Sequence, residues 1–304
     1  MNAAITVQDL RKRYRDVEAV RGVSFEVQEG QVFALLGPNG AGKTTTVEIL
    51  EGYRKRDAGS VTVLGFDPAR RDREMRRRIG IVLQSTGVDI YLTVAETIDL
   101  YRKLYAHPRP VDEIVEVVGL VQKRDTRVGK LSGGQQRRLD VAVALAGDPE
   151  LLFLDEPTTG FDPAARRGAW EMIRNLRALG KTILLTTHYM DEAQNLADQV
   201  AIIARGEILA RGTPATLGGR DTGGTLIRFR LPADAGELPD AIGAEITEVD
   251  GALEVRTTEP ARTLHELTGW ALRQGVELHS LEVARPTLED VYLQITGGEA
   301  GTEG

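Results

Sequence analysis

The segment GPNGAGKTT occupies residues 37–45, directly after the apolar run VFALL and directly before the helical pattern TTTVEIL. Its spacing, GxxxxGK[ST] from Gly37 to Thr44, is that of a phosphate-binding loop. Glycines let successive backbone amides curl around phosphate oxygens, and the N-terminus of the following helix adds positive dipole. Gly37, Pro38, Asn39, Gly40, Ala41, Gly42, Lys43, Thr44 and Thr45 are therefore the expected cradle. Lys43 reaches the outer phosphates, and the Thr44 hydroxyl can ligate Mg²⁺. An ordinary glycine-rich strand-to-helix turn would not carry the full pattern. Kinases, GTPases and motor ATPases share such a loop, so it marks a nucleotide binder and leaves the class open.

A second text, LLFLDEP, puts Asp155 and Glu156 at the end of an apolar run. There the first carboxylate can hold Mg²⁺ through water and the second can activate an attacking water. Adjacent acids at a strand end also occur as plain polar turns, but the phosphate loop upstream favours the catalytic pair.

These residues need strands that end together. VFALL (Val32 to Leu36), IGIVL (Ile79 to Leu83), LLFLD (Leu151 to Asp155) and TILLTT (Thr182 to Thr187) are continuous runs, as strands buried on both faces are. Helical patterns over Thr93 to Ala106, Gln135 to Ala146 and Pro163 to Leu179 alternate with them, which predicts an α/β domain with a largely parallel sheet. The basic run RRDREMRRR (Arg70 to Arg78) reads as the solvated face of a helix. TPATLGGRDTGG, Thr213 to Gly224, reads as a linker, which gives domains at 1–219 and 220–304. The second contains LIRFRL as a strand, Glu237 to Ile242 as a short helix, and AEITEV and ALEVRT as a hairpin around Asp250 and Gly251. A helix from about Ala261 to Gln274 and the strand VELHSLEV follow. The order βαββαβ resembles a ferredoxin-like α+β unit. In PTLEDVYLQITGG, Thr287 can cap a helix with Asp290 at its third position, and Leu288, Val291, Tyr292 and Ile295 then share one face. That face is expected either to cover the second domain locally or to pack on it or across a dimer. The glycine-rich end from about 298 reads as a flexible tail.

Composition excludes more than it selects. The chain has 304 residues, 41% of them hydrophobic and 27% charged, a globular balance. A formal charge of -7 argues against coating nucleic acid. With no cysteine there is no thiolate metal site or thiol nucleophile. No signal peptide and no apolar stretch near the ~20 residues of a spanning helix is visible. His107, His265 and His279 lack metal-ligand spacing, and Trp170 and Trp270 sit in helical patterns as packing residues.

LSGGQQRR, Leu131 to Arg138, lies between the phosphate loop and the acidic strand. By this text the chain resembles the ATP-binding subunits of ABC transporters, over residues 5 to about 215. In that family LSGGQ opens a helix whose amides and Ser hydroxyl bind the γ-phosphate held by the opposite subunit, and Ser132, Gly133, Gly134 and Gln135 match. Gln84 resembles the residue that senses Mg²⁺ and the attacking water beside the membrane partner. His188 resembles the γ-phosphate contact, and Tyr14 the aromatic that stacks on adenine. Gly160-Phe161-Asp162 stands at the dimer-contacting loop, with Phe where the family commonly has Leu.

The resemblance implies a P-loop NTPase of ABC type: a mostly parallel core sheet with an antiparallel β subdomain and a helical subdomain. It implies catalytic roles for Lys43, Gln84, Glu156 and His188, Mg²⁺ held by Thr44, Gln84 and Asp155, and a homodimer closing on two ATP. It further implies separate transmembrane permease subunits, with this chain peripheral on the cytoplasmic face of the membrane. STGVDIYLT, Ser85 to Thr93, would face those subunits. TTGFDP, LTTHYMDEA and TLEDVYLQITG look like the daunorubicin-resistance type, which exports drugs, lipids or glycans. A soluble ABC-type ATPase acting on ribosomes or DNA is the alternative; the second cassette or the coiled coil usual in those classes is not visible.

Overall fold

Residues 2–82, 87–217, 224–232, 238, 245–249, 251–284 and 287–296 are described in the computed structural model. They fall into two units, Met1–Pro214 and Ala215–Gly304. Along the first run β1 (Ala3–Tyr14), β2 (Val17–Gln28), β3 (Val32–Leu36), α1 (Lys43–Leu50) and β4 (Ala58–Val63). α2 (Arg73–Arg78) and β5 (Ile79–Val82) follow, then the helices α3 (Val94–Arg102), α4 (Val111–Val117) and α5 (Gly133–Leu145). The unit ends with β6 (Leu151–Asp155), α6 (Pro163–Ala178), β7 (Thr182–Thr187), α7 (Met190–Leu196), β8 (Gln199–Ala204) and β9 (Glu207–Gly212).

The runs without alternation become four adjacent strands, β5-β6-β7-β3, of a six-stranded sheet ordered β5-β6-β7-β3-β8-β9. All neighbours are parallel except the edge pair β8–β9. β3 and β7 are buried along their whole length, because helices cover one face and a second sheet the other. That second sheet, β2-β1-β4, is antiparallel. Its alternate residues Ile5, Leu10, Val23 and Phe25 meet Phe33, Leu35 and Phe153, and the Phe25 and Phe33 rings stack at 5.0 Å. Burial of each such side chain stabilises by roughly 2–3 kcal/mol, so this contact fixes the β1–β2 hairpin against the parallel sheet.

Two boundaries differ from expectation for local reasons. α3 starts on a capping box between Thr93 and Glu96 but stops at Arg102, where Leu104 and Tyr105 bond three residues back and tighten the chain. The basic run splits: Asp67 caps a 3-10 turn at Pro68–Arg70, Arg71 takes φ 52°, and Asp72 caps α2 anew.

The second unit holds β10 (Thr225–Arg230), β11 (Glu245–Val249), β12 (Ala252–Thr257), α8 (Pro260–Gln274), β13 (His279–Ala284) and α9 (Leu288–Thr296). Its sheet order β11-β12-β10-β13, antiparallel throughout, is the ferredoxin-like one. The helix expected at 237–242 and the flexible tail lie outside the described residues. Leu267, Trp270 and Ala271 of α8 pack on Ile227, Phe229 and Val255. β13 begins at His279 rather than Val276, because Gly275 (φ 67°) and the Val276 amide, bonded to the Ala271 carbonyl at 2.9 Å, close α8 as a Schellman cap. Thr287 and Asp290 form the expected cap of α9: the Asp290 amide donates to Thr287 Oγ1 at 3.1 Å and the Thr287 amide to Asp290 at 2.6 Å.

Candidate functional site

The carboxyl ends of β3, β6 and β7 are adjacent in the sheet, and each carries part of the site. From β3 the chain enters the 37–45 loop. Gly37 must be glycine: a Cβ there would lie 2.1 Å from the Ile203 carbonyl. Gly42, at φ 102°, would bring a Cβ within 2.4 Å of the Ala19 carbonyl. The loop is thus wedged between β8 and the β1–β2 hairpin, and the first amides of α1, which have no acceptor inside the helix, open toward it.

Lys43 is only 4% exposed. Its ammonium donates to the carbonyls of Gly37 (2.7 Å) and Pro38 (3.1 Å) and lies 3.4 Å from Glu156 Oε1. Burial pushes it below its ordinary pKa, with Glu156 opposing. Glu156 sits at φ 46°, a left-handed conformation that costs a non-glycine residue on the order of 1–2 kcal/mol. Its amide is held there by the carbonyl (3.2 Å) and Oγ1 (3.0 Å) of Thr186. Oε1 is 3.4 Å from His188 Nδ1, without the alignment of a hydrogen bond, and Oε2 accepts from Thr159 Oγ1 at 3.2 Å. Burial would raise this carboxyl, but Lys43, His188 and Thr159 together hold it below the usual value. Asp155 accepts from the Thr186 hydroxyl, and its backbone carbonyl accepts from Arg137 at 2.9 Å.

Lys43, Asp155, Glu156 and His188 therefore converge within one chain. Tyr14 ends β1 on the same hairpin that touches Gly42, with Lys12 and Arg54 within 5.4 and 5.5 Å of its ring. Thr44 and Asn39 are exposed beside the loop. Gln84, with Ser85 and Thr86, lies outside the described residues.

Ser132, Gly133, Gly134 and Gln135 stand elsewhere. Ser132 caps α5 reciprocally with Gln135, so the local turn that such a sequence also allows is formed. Ser132, Gly133 and Gly134 line a cavity of about 750 Å³ with Glu156, Thr159, Phe161 and Asp162, and no residue of 37–45 lines it. Within the one chain, this cavity joins the start of α5 to Glu156 and not to the 37–45 loop. Thr186, Thr159 and Arg137 were not foreseen as site residues. Thr186 had a signal, a hydroxyl in a strand otherwise suited to burial, whereas Arg137 had none beyond its place in a charged helix.

The 20–159 segment matches the ABC transporter family, and 225–287 matches the C-terminal domain family of ABC transporter domain-containing proteins. The Nod factor export ATP-binding protein I of Burkholderia pseudomallei is 42% identical, with 98% of each chain covered. The chain belongs to the ATP-binding subunits of ABC transporters. It is an ABC-type ATPase that binds nucleotide. A daunorubicin resistance ATP-binding protein of Streptomyces coeruleorubidus is 38% identical over 97% of this chain and 95% of its own. Among solved structures, an ATP-binding cassette of an ABC transporter in its ADP conformation superposes with TM-score 0.62 and 26% identity, over 70% of this chain and 92% of its own. The Clostridium perfringens subunit of the cbiONQ transporter complex gives TM-score 0.63 and 27% identity, over 71% and 90%. No helix among the described residues is long and apolar enough to cross a membrane.

Proposed function

We propose that the chain hydrolyses ATP as one half of a homodimer and drives export through separate membrane subunits, lying peripherally on the cytoplasmic face. The observation that carries this reading is the convergence of Lys43 and His188 on one carboxylate, Glu156, each at 3.4 Å. Residues 1–219 form the nucleotide-binding domain and 220–304 the accessory domain. The amides of 37–45 and Lys43 hold the outer phosphates, and Tyr14 offers its ring to adenine. Glu156 accepts a proton from the attacking water, His188 lies against the γ-phosphate, and the amides at the start of α5 reach the γ-phosphate held by the partner chain.

Thr44 and Asp155 supply one hydroxyl and one carboxylate, too few donors to cage a cation, but a set suited to Mg²⁺ that keeps water and phosphate oxygens as its other ligands. When bound there, Mg²⁺ neutralises phosphate charge. Asp155, fixed by Thr186, keeps its orientation without it. The name of the Nod factor export relative supports export, and exposed Ile90 and Tyr91, 54% and 74% open to solvent, support a membrane-facing surface there.

Glu156→Gln tests the site. It keeps the shape and removes the base, so hydrolysis falls by about a hundredfold or more while ATP binding persists. A stable dimer then accumulates in ATP, read by size. A variant that hydrolyses at the wild-type rate overturns the base. One that is slow yet stays monomeric in ATP overturns the dimer.

A further inference from the structure

One buried acid has no part in the site so described. Glu192, on the first turns of α7, is 0% exposed and has no cationic partner among the described residues. An unpaired carboxyl at that depth is costly unless its oxygens are satisfied. Among the described residues, one side-chain donor reaches it. Thr158 Oγ1 donates to Oε1 at 2.8 Å from the loop that follows Glu156. The Thr187 hydroxyl, at the end of β7, accepts from the Tyr189 amide at 2.9 Å and so fixes the turn from β7 into α7. The indole nitrogen of Trp170, on α6, and Glu192 Oε2 are both buried and complete no hydrogen bond among the described residues. Burial pushes the carboxyl above its ordinary value.

Thr158 and Thr187 are both covalently close to the site. Thr158 precedes Thr159, which donates to Glu156. Thr187 precedes His188, and its carbonyl accepts from the Gly37 amide at 3.2 Å. We propose that Glu192 is a positioning residue for hydrolysis: by tying Thr158 to α7, the helix that begins two residues after His188, it sets the spacing between the loop that aims Glu156 and the strand end that carries His188. It touches neither nucleotide nor water. A shift of about 1 Å in such a geometry lowers turnover far more than binding, because the phosphate cradle on β3 and α1 is built without it.

This inference rests on the site reading above, and the test separates the two. Thr158→Val removes only the hydroxyl, and Glu192→Gln keeps volume while removing the charge and leaving one acceptor to face Thr158. Each single change is expected to lower kcat by about tenfold with KM for ATP within about twofold, and the double variant to be no slower than the slower single. Glu192→Ala should lose more, with Gln the partial rescue. Losses that multiply in the double variant, a KM change equal to the kcat change, or wild-type kcat in either single variant overturns the proposal. If Glu156→Gln is inactive in the same assay, only the Glu192 inference falls. If Glu156→Gln is fully active, the site reading falls and takes this inference with it.

Discussion

Glu156 is where the residue types and the backbone pull against each other. A left-handed glutamate is strained, and it is kept so by Thr186 on the neighbouring strand, while Lys43 and His188 share its carboxylate. In the proposed role of Glu156, this arrangement keeps the base charged and aimed before any water arrives, the preorganisation that hydrolysis needs. A second acid behaves in the opposite way. Glu51, at the end of α1, is 7% exposed, and burial, with Asp155 and Glu48 adding repulsion, raises it to about 8 from an ordinary 4.5. Between those two values the folded chain holds a proton that the unfolded chain releases. Stability therefore falls as pH rises through that window. Glu51→Gln removes the cost of ionising this site. Its melting temperature should exceed that of the wild type by about 3 °C or more at pH 8, and the gap should narrow toward pH 5. Parallel melting curves across that range in the two proteins would refute the assignment.

At the scale of elements, α5 carries the test of whether one chain's loop serves another chain's site. Gly133 is exposed at the first helical position, and a Cβ there meets nothing within 4 Å. Aspartate at that position suits the helix dipole, so Gly133→Asp should leave melting unchanged or slightly raised. Its carboxylate would nevertheless stand where a partner's γ-phosphate must come. Calorimetric titration should find nucleotide binding to the single chain within about twofold of wild type, while phosphate release drops about a hundredfold or more. Loss of nucleotide binding in the single chain would show that α5 serves its own site. The four apolar runs and a largely parallel sheet were legible because burial on both faces removes polar alternation, whereas the order of the strands was not. The Thr158–Glu192 tie was not, although both residues lie in texts, TTGFDP and LTTHYMDEA, that the sequence singled out. A hydrogen bond across 34 positions leaves no local spacing to read.

At the scale of the whole chain, the sequence left the role of the last helix between a local cover and an intermolecular contact, since an amphipathic face states only that something covers it. In the single chain described, Leu288, Val291 and Tyr292 of α9 are already buried, and Asp290 lies 3.8 Å from Arg228 on β10. Burial of this face within one chain, with Asp290 beside β10, favours the local cover. Leu288 is the side chain to cut, because it is fully buried and leaves the Thr287–Asp290 cap untouched. Leu288→Ala should destabilise by about 2–4 kcal/mol through lost burial and the cavity left behind. The nucleotide site stands on β3, β6 and β7 of the other unit, so hydrolysis at a temperature below melting should stay within about twofold. Pairing in ATP should persist as well. Thermal melting, phosphate release and sizing in ATP on the same sample decide it: a lowered melting temperature with both activities kept marks the cover. Wild-type melting with a pair that no longer forms would instead make α9 a contact between chains, its burial in one chain notwithstanding.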